Sequence, residues 1–231
     1  RVRSAKPGGP RLDAPGPRAC RSRPWFQIGH RALRYTLLLI TDGRDDYLTR
    51  TLTSALVNLP APERVVLVDD RAHILGFAGA IQHGWAQILA TDAEFIFHLE
   101  ADFTFNQPVP LDDMAHLLED PRIVQVALKR QAWSPEEVAA GGLVEAVPAA
   151  FEERDEHGVV HTVTRRCFTT NPCLYRREIA ERGWPQEPES EGKFGIKLFN
   201  EYFEAVSCFL GGKFDPPMVH HIGDERAGLG Y

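Results

Sequence analysis

Three short apolar runs, YTLLLI at 35–40, RVVLV at 64–68 and FIFHL at 95–99, constrain this chain more than any other feature. Continuous runs of this kind, rich in Val, Ile, Leu and Phe, read as strands, the third as a buried strand of an α/β sheet. Between the first two, Leu48, Leu52, Ala55 and Leu56 fall on one face of a helix over 47–57. Asp45 or Asp46 can cap that helix, and Pro60 and Pro62 break the loop that follows. Residues 78–89 read as a second helix, so 35–103 alternates β-α-β-α-β with short connections. That alternation predicts an α/β fold with a mostly parallel central sheet, helices on its faces and right-handed crossovers. Gly43 stands alone after the first strand, without GxGxxG, which argues against a dinucleotide oxidoreductase.

The second and third strands close in acids, Asp69-Asp70 and Glu100-Ala101-Asp102. In open α/β sheets ligands sit beyond the carboxyl ends of the strands. Residues two apart on an extended backbone share a side, so Glu100 and Asp102 can converge on a hard divalent cation. A solvated acidic turn is the competing reading.

Further on, a helix is expected over 111–118 and a fourth strand over 123–128 (IVQVAL). Ser134-Pro135-Glu136-Glu137 is a helix-start signature. Residues 151–168 read as a hairpin turning at Asp155-Glu156-His157-Gly158, which argues against His157 and His161 sharing a metal. Residues 171–175 lead into a short helix over 177–181, and 192–210 is expected to be helical in its second half.

At 231 residues, 43% hydrophobic and 25% charged, the chain can bury one sizeable core. Its charge is uneven. Residues 1–34 carry nine Arg or Lys and one acid, Asp13, a surplus of 8, whereas 35–231 carries 17 bases and 31 acids, a deficit of 14. Rich in Pro, Gly and Arg and without apolar periodicity, residues 1–34 read as a disordered or loosely packed basic tail. The absence of an initiator Met suggests a fragment or an over-extended gene boundary. An acidic body argues against nucleic acid as a partner. No apolar run is long enough for a transmembrane segment. Cys20, Cys167, Cys173 and Cys208 show no CxxC or zinc-finger spacing, which suits reduced thiols in a cytoplasmic protein.

In order and spacing, four segments resemble the family 2 glycosyltransferases with the GT-A (Rossmann-like) fold, over about 35–226. LLLITDGRDDYLTRTLTSAL looks like that family's opening strand-turn-helix, and RVVLVDD like its second strand ending in a nucleotide-reading Asp. FIFHLEADF looks like the D-x-D segment with Glu100 in place of the first Asp. EGKFG and VHHIGDER look like the acceptor-side acid and the C-terminal metal or phosphate His. The chain departs from the family pattern at Asp42-Gly43, where Tyr-Asn is frequent, and around Ile81-Gln82-His83-Gly84, which lacks a frequent Asn.

The resemblance implies a nucleotide-binding half over 35–103, an acceptor-binding half over 104–231, and transfer from a nucleotide-diphosphate sugar donor to a glycan, lipid or small-molecule acceptor. A diphosphate leaving group needs its charge neutralised, which a divalent cation, Mn²⁺ or Mg²⁺, supplies. Asp102 is the first ligand expected for it, with Glu100 facing the ribose or reaching the ion through water. His221 or His220 is the further ligand. Alternation allows only one of the two to face inward, and His221 is favoured. Arg226 could pair with the pyrophosphate. Asp69 is expected to accept from the base or ribose, with Asp70 as alternative, and Thr41 and Arg44 to line the base pocket.

An inverting transfer needs a carboxylate to take the acceptor's proton, and Glu191 is expected there, with Glu189 as alternative. Trp133, Trp184 and Phe194 could stack on sugars, although core packing is the commoner use of such residues. Thr169-Thr170-Asn171 falls where the family contacts donor or acceptor. Arg165-Arg166 and Arg176-Arg177 read as solvated charge. The alternatives to a glycosyltransferase are a sugar-phosphate nucleotidyltransferase, a hydrolase with paired carboxylates, and a non-catalytic nucleotide-sugar-binding scaffold.

Overall fold

The computed structural model describes residues 33–225. They fall in one compact unit. The expected tail over 1–34 therefore lies almost wholly outside the described residues, as does Arg226.

The first half follows the predicted alternation as β1 (Tyr35–Thr41), α1 (Asp45–Asn58), β2 (Arg64–Asp69), α2 (Gly76–Leu89) and β3 (Phe95–Glu100). Then come β4 (Phe103–Phe105), α3 (Leu111–Leu117), β5 (Ile123–Leu128), α4 (Pro135–Ala140) and α5 (Leu143–Ala146). The chain continues through β6 (Glu152–Glu156), β7 (Val159–Thr164), β8 (Cys173–Arg176), α6 (Arg177–Ala180), α7 (Ser190–Glu201), β9 (Val206–Leu210) and β10 (Val219–His221). The helix start at Ser134 is real: its hydroxyl accepts from the Glu137 N–H at 3.2 Å, with Pro135 in the first turn.

Among the described residues the central sheet has eight strands in the order β2-β1-β3-β8-β5-β9-β7-β6. β2, β1, β3, β5, β9 and β6 run one way, while β8 and β7 run against them. The sheet is thus mostly parallel. β8 lies between β3 and β5, with Cys173 opposite both His98 and Ala127.

One expectation is reversed. Over 192–210 the helix occupies the first part, as α7, and the second part is β9. Ser190, Phe194, Gly195, Leu198 and Phe199 form the buried stripe of α7. Val206–Leu210 pairs with β5 and β7 through almost continuously buried residues, a sheet-core pattern rather than a helical one.

Two cores sandwich the sheet. On one face Trp85, Ile81 and Ile88 of α2 meet Trp184 and Phe194. On the other, Ala55 of α1 and Met114 of α3 meet Leu37, Leu39 and Phe97. Each fully buried large apolar side chain contributes about 1.5–3 kcal/mol. Trp184 and Phe194, stacked with centroids 4.8 Å apart, are therefore core rather than sugar platforms. Arg165 and Arg177 donate to backbone carbonyls at Phe199 and Leu89 (2.6 and 2.7 Å), and Arg176 donates to Leu118, so these cations fasten segments rather than merely meeting solvent. Arg165 is the only one of these from the Arg165-Arg166 pair.

Candidate functional site

The carboxyl ends of β1 and β3 open into two adjoining clefts that share Glu100. The first is lined by Thr41, Asp42, Arg44, Phe77, Glu100 and Asp102. The second, about 180 Å³, is lined by Glu100, Phe103, Arg130, Trp133, Thr169, Thr170, Asn171, Glu191 and His221. A more voluminous cavity of about 430 Å³ lies at the other end of β5, around Val124, Arg176 and Arg182. It is away from the strand ends where α/β sheets bind ligands, and its arginines 176 and 182 already face Glu178 and Glu201.

Asp102 and His221 are brought together by a second, two-stranded sheet. β4 and β10 pair antiparallel, with His221 opposite Phe103 and His220 opposite Thr104. The Ile222 N–H then donates to the Asp102 carbonyl at 2.7 Å. His221 Nε2 sits 3.2 Å from Asp102 Oδ2. Alternation turns His220 outward, where it is exposed, so of the two histidines only His221 reaches the cleft.

The His221 ring is held between two aromatics, Phe103 at 4.5 Å and Trp133 at 4.2 Å between centroids. Its backbone is clamped by Gln131, whose Oε1 accepts from the His221 N–H and whose Nε2 donates to the His221 carbonyl, both at 2.8 Å. Gln131 imitates a neighbouring strand. Arg130, bonded to Glu137 at 2.7 Å, and the Trp133 N–H, donating to the same carboxylate at 2.7 Å, fix that loop.

A carboxylate oxygen and an imidazole nitrogen at this separation suit a shared divalent cation of the Mn²⁺ type. Gly223 enforces the approach. A Cβ there would lie 2.5 Å from Asp102 Oδ2 and 2.9 Å from His221 Nε2. No cluster of three or more His, Cys, Asp or Glu suited to a metal occurs among the described residues. The residues thus fit an ion held by two protein ligands and completed by the ligand's own oxygens.

Glu191, in the first turn of α7, faces this cleft, and its Oε1 accepts from the Thr170 N–H at 2.6 Å. Burial pushes the Glu191 carboxyl above its ordinary range. The Thr170 N–H opposes the shift, while the negative charge of Glu100 adds to it. Glu189 is exposed, at a left-handed φ of 59° before the helix, and does not line the cleft. Trp133, 44% exposed, is the aromatic of the expected three that lines it.

At the first cleft Thr41 Oγ1 accepts from the Gly43 N–H at 3.0 Å, shaping the turn. Arg44 pairs with Asp42 at 2.7 Å and lies 4.4 Å over the Tyr47 ring. Asp70 is structural: its carboxylate accepts from the N–H groups of Ile74, Leu75 and Gly76 at 2.8–3.0 Å, holding the turn into α2. Asp69 stands beside Thr41 in the sheet register, yet its carboxylate turns to Arg71 at 2.7 Å and does not line either cleft. Sequence reasoning passed over Gln131 and Gly223, whose partners lie far along the chain, and Arg130, whose side chain bonds Glu137. It also passed over His98, for which a histidine inside an apolar strand was the available signal.

No protein-family model matches this sequence, and neither does any curated protein. Solved structures do share its fold. One is the mannosyltransferase PcManGT from Pyrobaculum calidifontis, in complex with GDP-Man and Mn²⁺, at a TM-score of 0.50 and 16% identity, over 81% of this chain and 60% of that one. Another is residues 1–349 of TarS from S. aureus, at a TM-score of 0.54 and 15% identity, over 83% of this chain and 61% of that one. The chain spans about three fifths of the length of both. At these identities the likeness is one of fold alone: the chain shares the α/β architecture of these two proteins.

Proposed function

We propose that this chain is a metal-dependent, inverting glycosyltransferase of the GT-A, family 2 type, moving a hexose-like sugar from a nucleotide-diphosphate donor to an acceptor hydroxyl. The observation that carries the reading is the meeting of Asp102 and His221 at 3.2 Å, with Glu191 facing the same cleft. Residues 35–103 would hold the nucleotide and 104–231 the acceptor, a glycan, lipid or small molecule. Because the mannosyltransferase of like fold was solved with GDP-Man and Mn²⁺, that pair is the first to test. Free thiols at Cys167, Cys173 and Cys208 suit a cytoplasmic setting. No helix among the described residues is long and apolar enough to cross a membrane.

Asp102 and His221 would hold the cation, which when bound neutralises charge on the departing diphosphate. Thr41, Asp42 and Arg44 would form the wall against the base, with Glu100 at the ribose. Asp69 would contribute only by releasing Arg71. Glu191 accepts the acceptor's hydroxyl proton as that oxygen bonds to the anomeric carbon and the bond to the diphosphate oxygen breaks on the opposite face. A raised pKa suits this task, since a base works best near the operating pH. Trp133 supplies an aromatic face beside the sugar.

Thermal-shift measurements with UDP-, GDP- and dTDP-sugars, each with and without Mn²⁺, test the reading. A Mn²⁺-dependent shift with one nucleotide is expected, lost in Asp102→Ala and kept in Glu191→Gln, which stops transfer. Donor turnover without an acceptor at the full rate would indicate a hydrolase, and pyrophosphate-dependent formation of nucleoside triphosphate a nucleotidyltransferase. Nucleotide-sugar binding without any turnover would leave a scaffold.

A further inference from the structure

His98 is 2% exposed in the middle of β3, where its strand neighbours are Phe97 and Leu99. A buried imidazole between apolar residues needs partners for both nitrogens. Its Nδ1 lies 3.5 Å from the Tyr175 hydroxyl on the adjacent strand β8. Its Nε2 is buried without a hydrogen-bond partner among the described residues and lies 3.7 Å from Glu100 Oε1.

The direction of this chain of contacts follows from its far end. The indole N–H of Trp85 can only donate, and it does so to the Tyr175 hydroxyl at 2.8 Å. The buried Tyr175 O–H still needs an acceptor, and among the described residues His98 Nδ1 is the one within reach, so Nδ1 accepts. A neutral ring that accepts at Nδ1 carries its proton on Nε2. That N–H faces Glu100, the acid common to both clefts. Trp85 and Tyr175 are themselves locked in the aromatic core, their centroids 6.1 Å apart.

We infer that His98 is a positioning residue for Glu100: Trp85 and Tyr175 set its tautomer, and its Nε2–H steers the Glu100 carboxylate into the donor cleft. The role of Glu100 in donor binding rests on the function proposed above; the contact between His98 and Glu100 does not. Without that N–H, Glu100 would meet Asp102 in the first cleft and Glu191 in the second, and like charges would turn it outward. Buried polar relays of this sort specify one orientation because each member is satisfied only in that orientation.

Two measurements on the full chain decide the matter. First, imidazole nitrogen chemical shifts of His98 in the nucleotide-free protein should show a protonated Nε2 and a bare Nδ1. A proton on Nδ1 overturns the inference whatever the protein binds. Second, GDP and UDP affinities with Mn²⁺ are compared in a double-mutant cycle. His98→Leu should weaken nucleotide binding roughly tenfold, the scale of a hydrogen bond to a charged group once the 3.7 Å contact with Glu100 closes around the bound nucleotide. His98→Gln, which keeps a donor near the Nε2 position, should recover most of it. In a Glu100→Gln background, His98→Leu should add little, because its effect passes through Glu100. Equal losses with and without the Glu100 carboxylate would make His98 merely structural and overturn the inference. A wild-type protein that binds neither of these nucleotides nor dTDP would refute the proposed function and with it the donor-binding role, leaving the nitrogen shifts to decide the tautomer.

Discussion

Gly223→Ala tests the proposed metal site at the point where it is tightest. Gly223 does not adopt a left-handed φ, so a methyl group there strains no backbone and acts only through contact. That methyl would sit 2.5 Å from Asp102 Oδ2, 0.9 Å short of the 3.4 Å at which ordinary contact begins. It would also meet His221 Nε2 at 2.9 Å. Neither neighbour can yield easily in place. His221 is packed between Phe103 and Trp133 with its backbone clamped by Gln131, and Asp102 is 5% exposed. The pair must therefore separate, at an overpacking cost of about 1–3 kcal/mol. Mn²⁺ affinity should fall roughly 10–100-fold, the usual effect of misplacing a ligand. The assay is Mn²⁺ titration of the nucleotide-free protein followed by electron paramagnetic resonance, with circular dichroism to establish folding. A folded Gly223→Ala protein that binds Mn²⁺ as tightly as wild type would show that Asp102 and His221 do not share an ion.

Other consequences follow from the same geometry. Gln131→Leu removes both bonds to the His221 backbone and should cost about 2 kcal/mol in urea unfolding while weakening Mn²⁺ binding; an unchanged midpoint would mean that the β4–β10 pair holds His221 unaided. Asp70→Ala strands three N–H groups before α2 and should destabilise by about 2 kcal/mol or more; nucleotide affinity falling without loss of stability would return Asp70 to the donor site. Glu191→Gln should lower kcat by about 10²–10⁴-fold with donor affinity retained; near-normal transfer would move the base elsewhere. The raised Glu191 pKa has a definite sign. Between its ordinary value of 4.5 and its higher folded value, the folded state keeps a proton that the unfolded chain releases. Its contribution to stability is therefore lost as pH rises through that window, and Glu191→Gln should flatten that part of the stability profile. The acid limb of the rate profile should also lie above that of an ordinary carboxylate.

The strands and helices over 35–100 were readable in the sequence because burial and period are local properties. YTLLLI, RVVLV and FIFHLE are sheet strands as their apolar runs required, although RVVLV takes the sheet edge with Val65 and Leu67 half exposed, and the acids that close the second and third fall at their carboxyl ends. Alternation also fixed that one histidine of His220-His221 faces inward, since successive side chains of a strand point to opposite sides. Tertiary structure alone decided that the inward one meets Asp102, 119 positions earlier, through the β4–β10 pairing. It likewise gave Asp70 to the turn before α2, inserted β8 antiparallel beside His98, and turned the end of the 192–210 segment into a sheet-core strand. Those outcomes depend on which distant segments become neighbours, and a local pattern of side chains carries no record of its partner across the sheet.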